Sequence, residues 1–137
     1  YSRSMAAYGS FVTACGFAWH GPKGELRFDP KVLDVDAPEP NRFKAAFITA
    51  AAWGSYEQIA ANHRITVAHG TLTLRQLELP DLRPATNVDA WSMKVGDRIV
   101  PGKFKSNPEL DGVRKSLTIT FDPALVLDAG QTLNVGG

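Results

Sequence analysis

The sequence predicts a mainly β protein: one N-terminal helix followed by an antiparallel, β-sandwich-like module. Apolar residues recur at helical spacing at the start of the chain, at Met5, Tyr8, Val12 and Cys15. Further along, apolar and polar residues alternate in short runs, which turn residues separate at intervals of roughly 8–12 positions. Such alternation is typical of strands that bury one face, and it indicates about seven to ten of them.

The N-terminal helix has a clear end and no visible beginning. Phe11 and two alanines widen its apolar stripe, and Gly16 occupies the position at which glycine commonly ends a helix. We therefore divide the chain into a terminal helix, residues 1–16, and a β-rich module, residues 17–137. No capping box precedes the helix, and the chain opens on Tyr1 without an initiator Met, so we expect that the start of the helix is missing.

Local signals divide the β-rich module into strands and turns. Alternation or β propensity predicts strands around Leu26, over residues 43–61, 65–69 and 72–74, weakly at 88–93, and most clearly at 117–121. Residues 43–49 also fit a helix on propensity alone, and the small residues that follow favour the strand.

Three irregularities are predicted within these strands. Gly70 is expected to turn a hairpin. The apolar phase slips at Arg75 and Gln76, which predicts a β-bulge or a strand that changes sheets. The pair Asp122-Pro123 is expected to break a strand, after which a hairpin around Gly130 closes the sequence.

Composition excludes several classes of protein. The 137 residues suffice for one domain with a real core. A net charge of +1 without basic clusters argues against nucleic acid or an acidic membrane as a partner. The pairs Lys103/Lys105 and Arg114/Lys115 are interpreted as solvated strand edges. The one cysteine, Cys15, is expected to be a small buried hydrophobic residue. No apolar run reaches the roughly 18 residues of a membrane span, and nothing indicates the compartment.

Titratable residues give no catalytic or metal assignment. Five carboxylates are available as hydrolase groups, and each is expected to be a solvated surface residue: Glu25, Asp29, Glu57, Asp97 and Asp122. His20, His63 and His69 follow no short metal-binding pattern. On one strand His63 and His69 would share a face but lie roughly 20 Å apart. We therefore predict no catalytic residue, no metal site and no cofactor within the chain.

Aromatic residues leave two interpretations open. Trp19, Trp53, Tyr56 and Trp91 could stack on sugar rings, or they could fill the core. The turn at residues 21–24 lacks the spacing of a phosphate-binding loop, and its proline removes one N–H that such a loop would need.

Five short blocks resemble the C-terminal region of glycoside hydrolase family 116, which contains bacterial β-glucosidase-like enzymes and non-lysosomal glucosylceramidases. They are Tyr-Ser-Arg-Ser-Met-Ala at 1–6, Cys-Gly-Phe at 15–17, His-Gly-Pro-Lys-Gly at 20–24, Phe-Lys-Ala-Ala-Phe at 43–47 and Trp-Gly-Ser-Tyr at 53–56. The similarity is dense over residues 1–58 and thin beyond them. Ala51-Ala52 departs from the family, which usually has Glu-Gly there.

The resemblance implies a retaining glycosidase with an (α/α)₆ barrel, whose last helix is residues 1–16 of this chain. Both catalytic carboxylates of the family belong to barrel segments upstream of Tyr1. The arginine of the first block corresponds to Arg3, which the resemblance implies is a substrate-binding residue at the floor of the glycone subsite. A guanidinium suits such a place, because it donates hydrogen bonds in a fixed fork.

Three functional hypotheses follow. The chain is the C-terminal fragment of a retaining glycoside hydrolase for β-glucoside-type substrates, inactive alone and partnered by the remaining catalytic part and its carbohydrate substrate. Alternatively, it is a non-catalytic carbohydrate-binding module that presents Trp53, Tyr56 or Trp91. In the third, it is a purely structural β-module that leaves the helix face exposed when alone and forms a homo-oligomer.

Overall fold

The computed structural model describes residues 2–30, 42–81, 91–108 and 115–136. Within them the chain is mainly β with one N-terminal helix, as the sequence predicts. The helix is α1 (Ser2–Cys15), and a single 3₁₀ turn spans Gly21–Lys23. The ten strands are β1 (Ala18–His20), β2 (Glu25–Arg27), β3 (Arg42–Ile48), β4 (Ala52–Ile59), β5 (Asn62–Pro80), β6 (Ser92–Val95), β7 (Arg98–Ile99), β8 (Lys103–Asn107), β9 (Ser116–Asp128) and β10 (Thr132–Gly136).

Strand β5 organises the fold because it belongs to two sheets. Its residues 71–80 lie in sheet I, whose order is β1-β2-β5-β9-β8. Its residues 62–70 lie in sheet II, whose order is β3-β4-β5-β10-β6-β7. Alternate residues of β5 are buried in both halves, so one strand supplies both inner faces.

The sheet is mixed, which corrects the prediction of a purely antiparallel module. Strand β2 pairs with β5 in parallel, from Glu25 opposite Gln76 to Arg27 opposite Glu78. Parallel neighbours need a long connection. Here the chain between β2 and β5 makes β3 and β4 of sheet II before it returns to sheet I.

The two sheets share one hydrophobic core. Buried residues of both sheets form a single cluster, including Leu26 and Leu77 of sheet I and Ile65 and Leu133 of sheet II. Phe28, just after β2, stacks on Tyr56 of β4 with ring centroids 4.1 Å apart. Because one aromatic pair joins the two sheets, their inner faces pack as one unit.

Local signals in β5 are partly confirmed. The predicted hairpin at Gly70 is wrong, because β5 continues through this residue. Gly70 has a φ of +81°, and a Cβ there would overlap the carbonyl of Ala51, so glycine permits the bend from sheet II into sheet I. The phase slip at Arg75 is confirmed, since the register with β9 shifts between Leu74 and Gln76.

The last two strands also differ from prediction. Strand β9 runs through Asp122 and Pro123, which were expected to break it. Strand β10 pairs with β5 and β6 and not with β9 in the described register, so the turn at Gly130 crosses from sheet I to sheet II. Local pattern locates such a turn but does not select the strand's partner.

Other expectations have mixed outcomes. Residues 43–48 form a strand, but Ala50 and Ala51 lie in the turn that follows it. Lys103 and Lys105 are exposed on the edge strand β8, as predicted. Lys115 instead forms an ion pair of 3.2 Å with buried Asp81. The predicted strand residues 88–90 and Arg114 lie outside the described residues.

Helix α1 is fixed to the β-rich module at one end. The buried Cys15 accepts a hydrogen bond of 3.0 Å at its carbonyl from the N–H of Asp29, beside β2. Gly16 follows with a φ of +57°, and a Cβ there would overlap the carbonyl of Asp29. Burial raises the pKa of the Cys15 thiol, which agrees with its predicted role as a hydrophobic residue.

Candidate functional site

The outer surface of α1 carries the one residue with a predicted binding role. Arg3 is exposed in the first turn of the helix. The apolar stripe is also exposed, with Met5 at 72% and Phe11 at 38% of their accessible surface. At 3.6 residues per turn, Arg3 lies roughly 140° around the axis from the centre of this stripe. The helix therefore presents a guanidinium and an apolar stripe on different faces.

Glu57 is buried, which corrects the expectation of a solvated carboxylate. Its side chain accepts hydrogen bonds from Arg42 at 3.0 Å and 2.6 Å, and Arg64 lies at 3.7 Å. Hydrogen bonding from Arg42 lowers the pKa of Glu57, and the charges of Arg42, Lys44 and Arg64 lower it further. The carboxylate is therefore ionised at neutral pH and is not suited to act as a general acid.

Asp29 is the second carboxylate that proves to be buried and not solvated. Arg27 approaches it at 3.5 Å, at the point where β2 leads towards the core. Burial raises the pKa of Tyr56, and the negative charge of Asp29 raises it further. Asp29 thus belongs to the junction beneath α1. Glu25 is partly exposed, and Asp97 and Asp122 are exposed as expected.

Glu57 lies at the centre of a charged row on the outer face of sheet II. The strand register places five residues opposite one another, from β3 to β6: Lys44, Glu57, Arg64, Asn134 and Lys94. Arg64 donates to Asn134 at 3.2 Å, and a groove of about 300 Å³ lies over the row. A retaining glycosidase needs two carboxylates roughly 5 Å apart. Glu57 is the only carboxylate in this row.

The three histidines have separate roles. The Nδ1 of His20 accepts the N–H of Lys23 at 3.3 Å and so caps the 3₁₀ turn. His63 is 2% exposed, and its Nδ1 lies 2.9 Å from the hydroxyl of Tyr56. His69 is exposed beside Trp53, with ring centroids 6.1 Å apart.

His63 and His69 do not share a face, contrary to expectation. The register between β4 and β5 shifts at Trp53 and Gly54, which leaves one extra residue in β5 before His69. This bulge reverses the side-chain alternation. In the described part of the chain, no group of three or more His, Cys, Asp or Glu residues could hold a metal ion.

The candidate aromatic residues separate by burial. Tyr56 is fully buried in the core, which excludes it as a sugar-stacking surface. Trp19 and Trp91 are partly buried and pack against the core. Trp53 is 52% exposed and lies opposite Ile48, another exposed residue, in the strand register. Of the four aromatic candidates, Trp53 is thus the most available to a ligand.

Sequence reasoning missed the Arg42–Glu57–Arg64 cluster because it depends on register. The three residues belong to three strands, and their contact follows from pairing of β3 with β4 and of β4 with β5. A usable signal existed in the basic residues on either side of Glu57 in predicted strands. It required the correct hairpin registers, which alternation alone does not give.

Comparisons with known proteins add no family assignment. The sequence matches no protein-family model and no curated protein. In the described residues, no helix has the length and apolar character needed to cross a membrane.

Proposed function

We propose that this chain is the C-terminal part of a retaining glycoside hydrolase similar to family 116, acting on β-glucoside-type substrates. In this proposal α1 is the last helix of an α/α barrel, and the β-rich module packs beside that barrel. The proposal rests on the five sequence blocks within residues 1–58 and on one structural observation. That observation is the exposed apolar stripe of a helix whose end is held firmly by the β-rich module.

The stripe on α1 supports a partner because exposed apolar surface is costly in water. Met5 alone leaves 72% of its surface exposed, and Phe11 adds an aromatic ring about one and two-thirds turns further on. A catalytic barrel would bury this stripe as helices bury theirs in other α/α folds. The remaining catalytic part is therefore the partner that we assign to this face.

Arg3 is the residue of this chain that we assign to the glycone subsite. It is exposed, and helical geometry places it off the apolar stripe. A barrel that covers the stripe can therefore keep Arg3 near the substrate. In that place the guanidinium would donate hydrogen bonds to sugar hydroxyls and orient neighbouring carboxylates.

Activity measurements test this proposal. The purified 137-residue chain should not hydrolyse an aryl β-glucoside, whereas the protein that contains this chain and the barrel should. In that larger protein Arg3→Ala should lower kcat/KM about 10–100-fold, the range for a lost hydrogen bond from a charged group. Lys103→Ala, on an exposed edge strand, is the matched control and should leave kcat/KM unchanged. Turnover by the isolated chain, or full activity of Arg3→Ala, would contradict the proposal.

A second candidate function is favoured by the exposure of Trp53. In it the β-rich module binds a glycan without chemistry, and Trp53 supplies the stacking surface beside Ile48 and His69. Affinity electrophoresis in a gel containing a soluble β-glucan should then retard the isolated chain. Trp53→Ala should abolish the retardation, whereas Phe104→Ala should not. Equal mobility with and without the glucan would eliminate this candidate.

A further inference from the structure

A small cleft lies on sheet I, away from α1 and from the charged row of sheet II. It has a volume of about 290 Å³ and is bounded by the 3₁₀ turn, by the turn between β3 and β4, and by residues 71–75 of β5. Trp19 forms one wall and Arg75 another. A volume of this size is at the lower end of the range for small-molecule sites and suits one sugar ring.

Arg75 lines the cleft at the point where the register between β5 and β9 shifts. Opposite this one residue, β9 contributes residues 121–124, since Leu74 pairs with Leu125 and Gln76 with Thr120. The N–H groups of Arg75 and Gln76 both donate to the carbonyl of Gly24, at 2.9 Å and 3.2 Å. The extra residues of this irregularity therefore belong to β9, and the Arg75 side chain opposite them is exposed.

Gly24 leaves room for the arginine stem. A Cβ on Gly24 would lie 3.3 Å from the Cγ of Arg75, and the φ of Gly24 is +64°. The aliphatic part of the Arg75 side chain therefore lies directly over the backbone of Gly24, which restricts the position of the guanidinium. Among the residues that the structure describes, Arg75 forms no ion pair, in contrast to Arg27, Arg42 and Arg64.

Trp19 supplies an aromatic wall beside this cation. The indole is half-buried and packs against the core, so its position is fixed. A Cβ on Gly21 would lie 3.4 Å from the indole nitrogen, so the nitrogen-bearing edge of the ring borders the cleft. The C–H face of a pyranose packs well against such a ring.

The rest of the lining is hydroxyl-bearing or small. Thr73 is exposed in the cleft, and Thr71 donates to Asp128 at its rim at 3.2 Å. Among the described residues that line the cleft, Arg75 is the only charged one. The lining therefore offers one positive fork of donors, an indole and threonine hydroxyls, and the carboxylate of Asp128 at the rim is hydrogen-bonded by Thr71.

We propose that this Trp19–Arg75 cleft binds a pyranose that carries a carboxylate, that is, a hexuronate. The ring would lie against Trp19, its hydroxyls would bond to the threonines, and its carboxylate would accept hydrogen bonds from Arg75. The inference does not rest on the proposed glycosidase function, because no residue of α1 lines the cleft.

Calorimetric titration of the 137-residue chain with sodium glucuronate tests the proposal. We expect a dissociation constant on the order of 1 mM, with glucose at least about tenfold weaker because it lacks the carboxylate. Arg75→Gln should weaken glucuronate binding at least about tenfold and leave glucose binding unchanged. Arg98→Gln is a control on another surface and should bind as the wild type does.

Trp19→Phe keeps an aromatic ring in the half-buried wall and should weaken binding several-fold without loss of the fold, which circular dichroism checks. If glucose bound as tightly as glucuronate, the proposal that the ligand carries a carboxylate would be wrong. If sodium sulfate bound with the same heat and the same affinity, the proposal that the site recognises a sugar ring would be wrong. No binding by about 50 mM glucuronate, or no effect of Arg75→Gln, would overturn the site itself.

Discussion

His63 is a neutral imidazole in the core, and its surroundings explain why. Burial is the main cause that lowers the pKa of His63 to about 4, while the carbonyl of Pro80 and the charge of Asp81 act weakly in the opposite direction. The ring stacks on Tyr56, with centroids 6.0 Å apart, and lies near Trp91. The imidazole therefore serves as a core aromatic with polar contacts to the Tyr56 hydroxyl and the carbonyl of Pro80.

This burial predicts that the protein loses stability on mild acidification. The folded pKa of about 4 is below the ordinary value near 6.5, so between these pH values the unfolded chain binds more protons. The free energy of unfolding should thus fall as pH decreases from 6.5 towards 4, by roughly 3 kcal/mol from this group. Urea unfolding at several pH values measures it.

Two variants isolate the contribution of His63 from that of the carboxylates. His63→Phe keeps a ring of similar size, and the difference between its pH profile and that of the wild type should contain the loss assigned to His63. His69→Gln, at an exposed position, should reproduce the wild-type profile. Parallel profiles for wild type and His63→Phe would show that the buried imidazole titrates normally.

For single residues, the sequence does not predict which side chains are covered by residues of neighbouring strands. Tyr56 lies in the core, which is one of the two interpretations that the sequence left open for the aromatic residues. Glu57 points outward as alternation requires, yet it is 6% exposed because Arg42 and Arg64 lie over it from neighbouring strands. Cover by other strands depends on register, which no single strand contains.

Among the strands, β5 shows which features of the backbone can be predicted from the local sequence. The slip at Arg75 is visible because apolar residues change phase there, and the register shift follows directly. Gly70 gives the same local signal as a hairpin glycine. Its actual role depends on the carbonyl of Ala51, in the turn before β4, which passes so close that only glycine fits. A glycine in a strand thus marks a special backbone position without saying which kind.

Close approach of β4 and β5 predicts a strong effect at Gly54. A Cβ on Gly54 would overlap the carbonyl oxygen of Thr66 in the next strand. Gly54→Ala must therefore push two central strands of sheet II apart, and we expect it to lower the free energy of unfolding by about 1–3 kcal/mol. Urea or thermal unfolding measures the change.

Gly9 provides the matched control for this substitution. It lies in α1, and a Cβ there would have no neighbour within 4 Å. Gly9→Ala should therefore leave the stability of the β-rich module unchanged and raise the helicity of α1, because alanine favours helix by roughly 1 kcal/mol over glycine. An unchanged midpoint for Gly54→Ala would mean that β4 and β5 are further apart than the structure has them.

For the molecule as a whole, the unequal burial of α1 and the β-rich module is the central fact. The module has its own core from both sheets, whereas Cys15, next to the junction, is the only buried residue among those of α1 whose side chains the structure describes. The sequence predicted both the helix and its stripe correctly. Periodicity reports that a stripe exists but does not identify what covers it, because the partner is not encoded locally.

The exposed stripe predicts that the 137-residue chain self-associates when alone. If the stripes of two chains paired, Met5 and Phe11 would be removed from water. The free energy gained would be proportional to the apolar area that is buried. At concentrations on the order of 100 µM, light scattering coupled to size-exclusion chromatography should give a mass above that of one chain.

Charge substitutions on and off the stripe make this prediction specific. Met5→Lys with Phe11→Lys should give a monomer, because pairing would then bury two cations. Ala6→Lys with Ser10→Lys adds the same charge on the opposite side of α1, where both residues are exposed, and should leave the association intact. A wild-type chain that is monomeric at this concentration would argue that the stripe is tolerated in water. It would also weaken the case that a catalytic barrel covers it.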